Sequence, residues 1–241
     1  MKRLLSAVFS LFAVASFSFA GDAAAFSDIG FSADGKTYIF GEYGKTDKKF
    51  QAYAEIYTVD IAKNDFVSGG VFKTKPGSAT AGISGRTAWD NLLKKNKASL
   101  SKYNCSPSAP ENLLYVRSQT GQVKQPLAKD SSEVIRFQDF ESSTDDNEVF
   151  YRIKLVSSAK GSGKNLKSSY YIDMQREDGN GKKLASWTVG NPDIERSGVS
   201  SYQIDRIFTD RQKRSMIFVV QKTVEDDTGT SIRYMIESLK L

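Results

Sequence analysis

Apolar and polar residues alternate with a period of two through most of this chain. Short runs of Gly, Asp, Asn and Lys interrupt the alternation at close intervals. That pattern predicts many short, half-buried strands joined by tight turns. In residues 26–61, Ile29 and Phe31 precede the turn Ser32-Ala33-Asp34-Gly35-Lys36, Tyr38 and Phe40 follow it, and Ile56, Val59 and Ile61 mark a third strand after a lysine-bearing loop. Residues 202–241 have the same form: Ile204 to Phe208, a charged turn at 210–214, Ser215 to Val220, a polar loop, and Tyr234 to Leu241. Between these two stretches lie further strand candidates at 113–117, 122–127, 134–140, 149–156, 170–174 and 183–189, with hairpin turns at Thr120-Gly121 and Asp178-Gly-Asn-Gly181.

A single segment changes period. Trp89, Leu92, Leu93, Leu100 and Tyr103 fall near one helical face, with Lys94, Lys95 and Lys97 largely elsewhere. Thr87-Ala-Trp-Asp90 reads as its capping box, so a helical insertion is expected near 87–103, ending before Pro107. The expected fold is all-β and mainly antiparallel, with about ten to twelve strands and one inserted helix.

The residues Phe31-Ser-Ala-Asp34-Gly35-Lys36, the aromatic strand after them and Ile56-Tyr-Thr-Val59-Asp60 resemble a WD40-like blade of the TolB-type β-propellers. Residues 26–61 also resemble the start of an uncharacterised family of predicted secreted bacterial proteins (domain of unknown function two-two-five-nine). The first resemblance implies propeller-like blades, with a two-sheet β-sandwich as the alternative. The second implies export, and brings no activity, cofactor or catalytic residue. If the chain closes on itself as a propeller does, residues 26–61 and 202–241 should lie side by side and share a sheet.

The N-terminus bears on destination. Lys2 and Arg3 precede an apolar run over residues 4–17 broken only by Ser6, Ser10 and Ser16, and Ser18-Phe19-Ala20 supplies a small-x-small cleavage pattern. The run is shorter than the roughly 20 residues that span a bilayer. Residues 1–20 are therefore expected to be a cleaved signal peptide, leaving a single β-rich domain over 21–241. Ala23-Ala24-Ala25 offers a second site, after Ala25. No later stretch reads as a membrane span, so the processed chain is expected not to be transmembrane. Losing Lys2 and Arg3 lowers the formal charge from +6 to +4. Basic and acidic residues are interspersed, which argues against a nucleic-acid partner.

Composition narrows the chemistry. With 39% hydrophobic and 26% charged residues the chain has an ordinary globular balance. It contains no His and one Cys, Cys105. Ser-His-Asp and Cys-His nucleophiles are excluded, as are His-based zinc sites. Cys105 has no intramolecular disulfide partner and is expected to be buried. Gly161-Ser-Gly163-Lys164 lacks the earlier Gly and the following Ser or Thr of a phosphate loop and reads as a flexible turn. Ser99/Lys102 and Ser157/Lys160 match Ser-x-x-Lys without its companion motifs. Asp145, Asp146 and Glu148 read as an acidic solvent loop, not as a calcium site. No catalytic, cofactor or metal residue is assigned. The expected function is a non-catalytic binding or scaffolding protein of the cell envelope, with an envelope protein or polysaccharide as partner. The alternative is a carboxylate-based hydrolase of envelope glycans. A cleft dense in acids and aromatics would favour the hydrolase; an exposed apolar face or bare strand edge would favour the binder.

Overall fold

The computed structural model of the protein describes residues 22–117, 132–226 and 229–241. The Thr120-Gly121 turn, the strand expected over 122–127 and the expected leader over 1–20 lie outside the described residues. The all-β, mainly antiparallel expectation holds, with one inserted helix. Among the described residues there are fifteen strands, three of them only two residues long. In chain order they are β1 (Asp22–Ala23), β2 (Ala25–Ser32), β3 (Thr37–Lys45), β4 (Ala52–Asp60), β5 (Asp65–Thr74), then helix α1 (Gly85–Ser101) and β6 (Cys105–Ser106). There follow β7 (Leu113–Val116), β8 (Ser132–Gln138), β9 (Val149–Lys160), β10 (Lys167–Asp178), β11 (Lys183–Val189) and β12 (Arg196–Ser197). The chain closes with β13 (Val199–Thr209), β14 (Ser215–Asp226) and β15 (Gly229–Lys240).

These strands form three sheets, each built on an antiparallel meander. The N-terminal sheet runs β5-β4-β3-β2-β6, the mid-chain sheet β11-β10-β9-β8 with β12 on β10, and the C-terminal sheet β1-β15-β14-β13-β7. Each meander is the hairpin-linked unit expected of a blade, and the sheets pack face to face as in the sandwich alternative. The C-terminal sheet is covered on both faces. Met216, Phe218 and Val220 join the core shared with Ile153, Leu155, Ile172 and Met174 of the mid-chain sheet. Ile217 and Val219 join the core shared with Tyr38, Phe40 and Val59 of the N-terminal sheet. An unbroken apolar run is what a strand buried on both faces requires. A bulge at Asp205 shifts the phase of β13, so that Ile204 and Ile207 both face the mid-chain sheet while Phe208 faces the other core.

The two terminal stretches do lie side by side, but as facing layers. β2, β3 and β4 belong to one sheet and β13, β14 and β15 to another, which corrects the expectation that they share a sheet. On the edge away from β14, β15 pairs with β1, which precedes the first stretch and runs parallel to its partner, Asp22 opposite Ser231 and Ala23 opposite Ile232. Face-to-face packing hides the apolar sides of both meanders at once; edge pairing would leave those faces in water.

Across the N-terminal sheet, Phe26, Phe40, Tyr57 and Phe66 stack in succession, with ring centroids 5.9, 5.0 and 5.1 Å apart. Such cross-strand aromatic pairs hold register. The opposite face carries α1, which buries Ala88, Trp89 and Leu92 against Ile39, Ala54 and Ile56. Gly41 makes that contact feasible: a Cβ there would lie 2.2 Å from the Trp89 ring. The helix begins earlier than the expected span. Ser84 is the N-cap, its hydroxyl accepting the Thr87 amide at 2.9 Å. Asp90 instead pairs with Arg86 one turn back. Thr87 is already helical, whereas Ser84 has the extended backbone a cap needs. The segment Gly161 to Lys164, expected as a turn, lies in the short link between β9 and β10, with Lys160 and Lys167 in register on the two strands.

A polar pocket between two hairpin turns, and acids that staple the sheets

The turns of the first and last stretches meet. The β2–β3 turn, the β13–β14 turn and the segment after α1 surround a cavity of about 240 Å³. In the first turn, the Ser32 hydroxyl donates to Asp34 Oδ1 at 2.7 Å, the Lys36 amide donates to the same oxygen at 3.1 Å, and Gly35 takes φ +65°. These bonds hold the exposed Asp34 carboxyl below its ordinary range. In the second turn, Asp210 is buried, and its Oδ1 accepts the amides of Arg214 at 2.7 Å and Ser215 at 2.8 Å. Its Oδ2 faces Gly35, where a Cβ would come within 3.0 Å, so the absence of a side chain lets the two turns approach.

Asn104, Ser106, Pro107, Ser108 and Asn112 complete the rim, with Arg211 and Gln212 from the second turn. Beneath it, Asp28 ties the wall together by accepting the Tyr38 hydroxyl and the Ser108 amide, both at 2.8 Å. Burial, and then the Asp28 charge, pushes the Tyr38 phenol well above its ordinary value. Cys105 is half-buried beside this wall, and burial pushes its thiol up to about 11, so it is a thiol and not a thiolate at neutral pH. Among the described residues the lining therefore offers hydroxyls, carboxamides, one guanidinium and a single carboxylate, set against the apolar surface of Phe31, Ala33, Pro107 and Ala109. That set recognises neutral polar groups by paired hydrogen bonds. A second hollow of about 230 Å³ between β9 and β10 holds Lys160 and Lys167, both paired with Glu195.

The buried acids have other work. Asp22 accepts the Tyr53 hydroxyl at 2.9 Å and pairs with Arg233. Glu237 accepts the Tyr170 hydroxyl at 2.7 Å and the Asn64 amide. Glu177 pairs with Arg136, and Asp205 with Arg206. Glu42 accepts the Tyr234 amide at 2.7 Å, and the Asn64 carbonyl accepts the Ser238 amide at 2.6 Å. Glu42 and Asn64 thus close an edge of β15 that no strand covers there. No motif or spacing in the sequence marks these acids. Their only signal is position: Glu42 follows the apolar run Tyr38 to Phe40, and Glu237 follows Tyr234 to Ile236. The candidate motifs of the sequence stay apart. Asp145, Asp146 and Glu148 are exposed on the β8–β9 connection, and Gly161 to Lys164 form the turn before β10. Among the described residues, no group of three or more acids or Cys is placed to hold a metal ion, and no helix is long and apolar enough to cross a membrane.

Burial pushes the Glu42 carboxyl up to about 7, against the opposing effects of the Tyr234 amide, Lys222 and Arg233. A carboxyl raised on folding binds its proton more tightly in the folded state, so its contribution is complete below about pH 4.5 and is lost as pH rises toward 7. The loss amounts to about 3 kcal/mol. Glu42→Gln keeps an acceptor for Tyr234 and removes the titration. Urea unfolding should show the variant matching the parent at pH 4.5 and exceeding it at pH 8; equal stability at both pH values would refute this reading of Glu42.

No curated protein and no solved structure matches the chain. One family model does, the one described as Predicted secreted protein (DUF2259), over residues 39–240, which takes in strands of all three sheets and the helix. The chain belongs to that family and is an exported protein.

Proposed function

We propose that the protein is a non-catalytic binding module of the cell envelope, exported by a leader over residues 1–20, and that the pocket between the two turns holds its partner. The observation that carries this reading is the pocket's lining. Hydroxyls and carboxamides from three chain segments converge there, and its one carboxylate is already committed to two backbone amides. Acid-catalysed glycoside hydrolysis needs two free carboxyl groups across a cleft. The buried acids here serve as ties between sheets, which supports binding over turnover. An envelope polysaccharide, rich in hydroxyl and amide groups, is the partner this lining suits.

The test is capture from envelope extracts, using the processed protein and the pocket variant Arg211→Ala/Gln212→Ala. Polysaccharide retained by the parent and reduced about tenfold or more on the variant is the expected result, since one or two lost hydrogen bonds reach that size. Glycan turnover without a captured partner would replace this reading with the hydrolase.

A further inference from the structure

The sequence offers two cleavage positions, after Ala20 and after Ala25, and the difference between them is the segment that forms β1. We propose that residues 22–24 stay on the exported protein as a latch strand, so that processing falls at Ala20–Gly21 and not after Ala25. This rests on the leader reading above.

The described residues show what the second position would remove. Asp22 and Ala24 are buried. The Asp22 carboxylate is the ion-pair partner of Arg233 and the acceptor for the Tyr53 hydroxyl, and its carbonyl oxygen accepts the Arg233 guanidinium at 3.1 Å. Arg233 also lies over the Tyr53 ring, 4.3 Å from its centroid. Ala24 donates its amide to the Ile232 carbonyl at 3.1 Å and fills part of the core between the N- and C-terminal sheets. Cleavage after Ala25 would strip a largely buried guanidinium of its counter-charge, leave the Tyr53 hydroxyl without its acceptor, and open β15 at Ser231 and Ile232. Removing one partner of a buried pair is the destabilising direction, because the other charge remains desolvated.

Intact-mass and N-terminal sequencing of the exported protein provides the first test. A chain starting at Gly21 is expected. A start at Phe26 overturns the latch and leaves export standing; an uncleaved chain overturns the leader reading itself. The second test compares purified chains beginning at Gly21 and at Phe26. The shorter chain should melt ~6–20 °C lower, and Asp22→Ala in the longer chain should reproduce much of that shift. Equal melting of the two lengths overturns the structural role of the strand even if the cut falls after Ala20.

Discussion

Phe218→Ala is expected to lower the free energy of unfolding by about 3–5 kcal/mol, as complete truncation of a buried aromatic does. Phe218 lies on β14 and is fully buried in the core shared with the mid-chain sheet, while its neighbours Ile217 and Val219 are fully buried in the other core. The strand is held on both edges by β13 and β15. It cannot shift to fill the space without disturbing the opposite core, so the cavity remains largely open. For a domain of this size the melting temperature should fall by ~6–20 °C. Phe66→Ala is the control: that ring is 48% exposed at the outer end of the aromatic stack and should cost about 1 kcal/mol or less. Denaturant unfolding of both variants measures the contrast. A Phe218→Ala loss below about 1 kcal/mol would contradict a C-terminal sheet covered on both faces.

Glu237→Ala is expected to cost about 2–5 kcal/mol by a different route. Its two carboxylate oxygens receive the Tyr170 hydroxyl from the mid-chain sheet and the Asn64 amide from the β4–β5 turn. One side chain therefore joins all three sheets. Burial, with the Glu237 charge next, drives the Tyr170 phenol well above its ordinary value, so it remains a donor at any physiological pH. Truncation leaves the buried Tyr170 hydroxyl unsatisfied, at about 1.5–3 kcal/mol when the lost acceptor is charged, and takes the acceptor from the half-buried Asn64 side-chain amide at a smaller cost. Tyr170→Phe removes only one donor and should cost less. A double-mutant cycle between the two positions should return a coupling of about 1–3 kcal/mol. Additive losses would show that the contact does not tie the sheets.

Much of this architecture is legible without coordinates. The turn at Asp34-Gly35, the hairpin across Asp178 to Gly181 and the strands around them follow from local rules, because φ preferences and alternation act over a few residues. The helix was legible too, but not its start: Thr87 to Asp90 has the form of a capping box, yet Ser84 is the better cap and holds the extended backbone, with Thr87 already helical. The run from Met216 to Val220 carried the signal of a strand buried on both faces, since five consecutive apolar residues cannot suit a sheet with one wet face.

The pocket and the latch were beyond local rules. Asp34-Gly35 and Asp210 stand far apart in the chain and share no motif, yet their turns touch because two meanders stack with their hairpin ends aligned. Nothing in the sequence around Asp22 points to Arg233, 211 residues on, which the fold places beside it. The sequence by itself determined class, membership in an exported family and the list of excluded chemistries, because alternation, likeness along the chain and the lack of His act without regard to fold. The tertiary structure decided which strands face one another, which acids become ties and where a cavity forms. Those outcomes depend on burial and on contacts between residues distant in the chain, which alternation along one strand cannot encode.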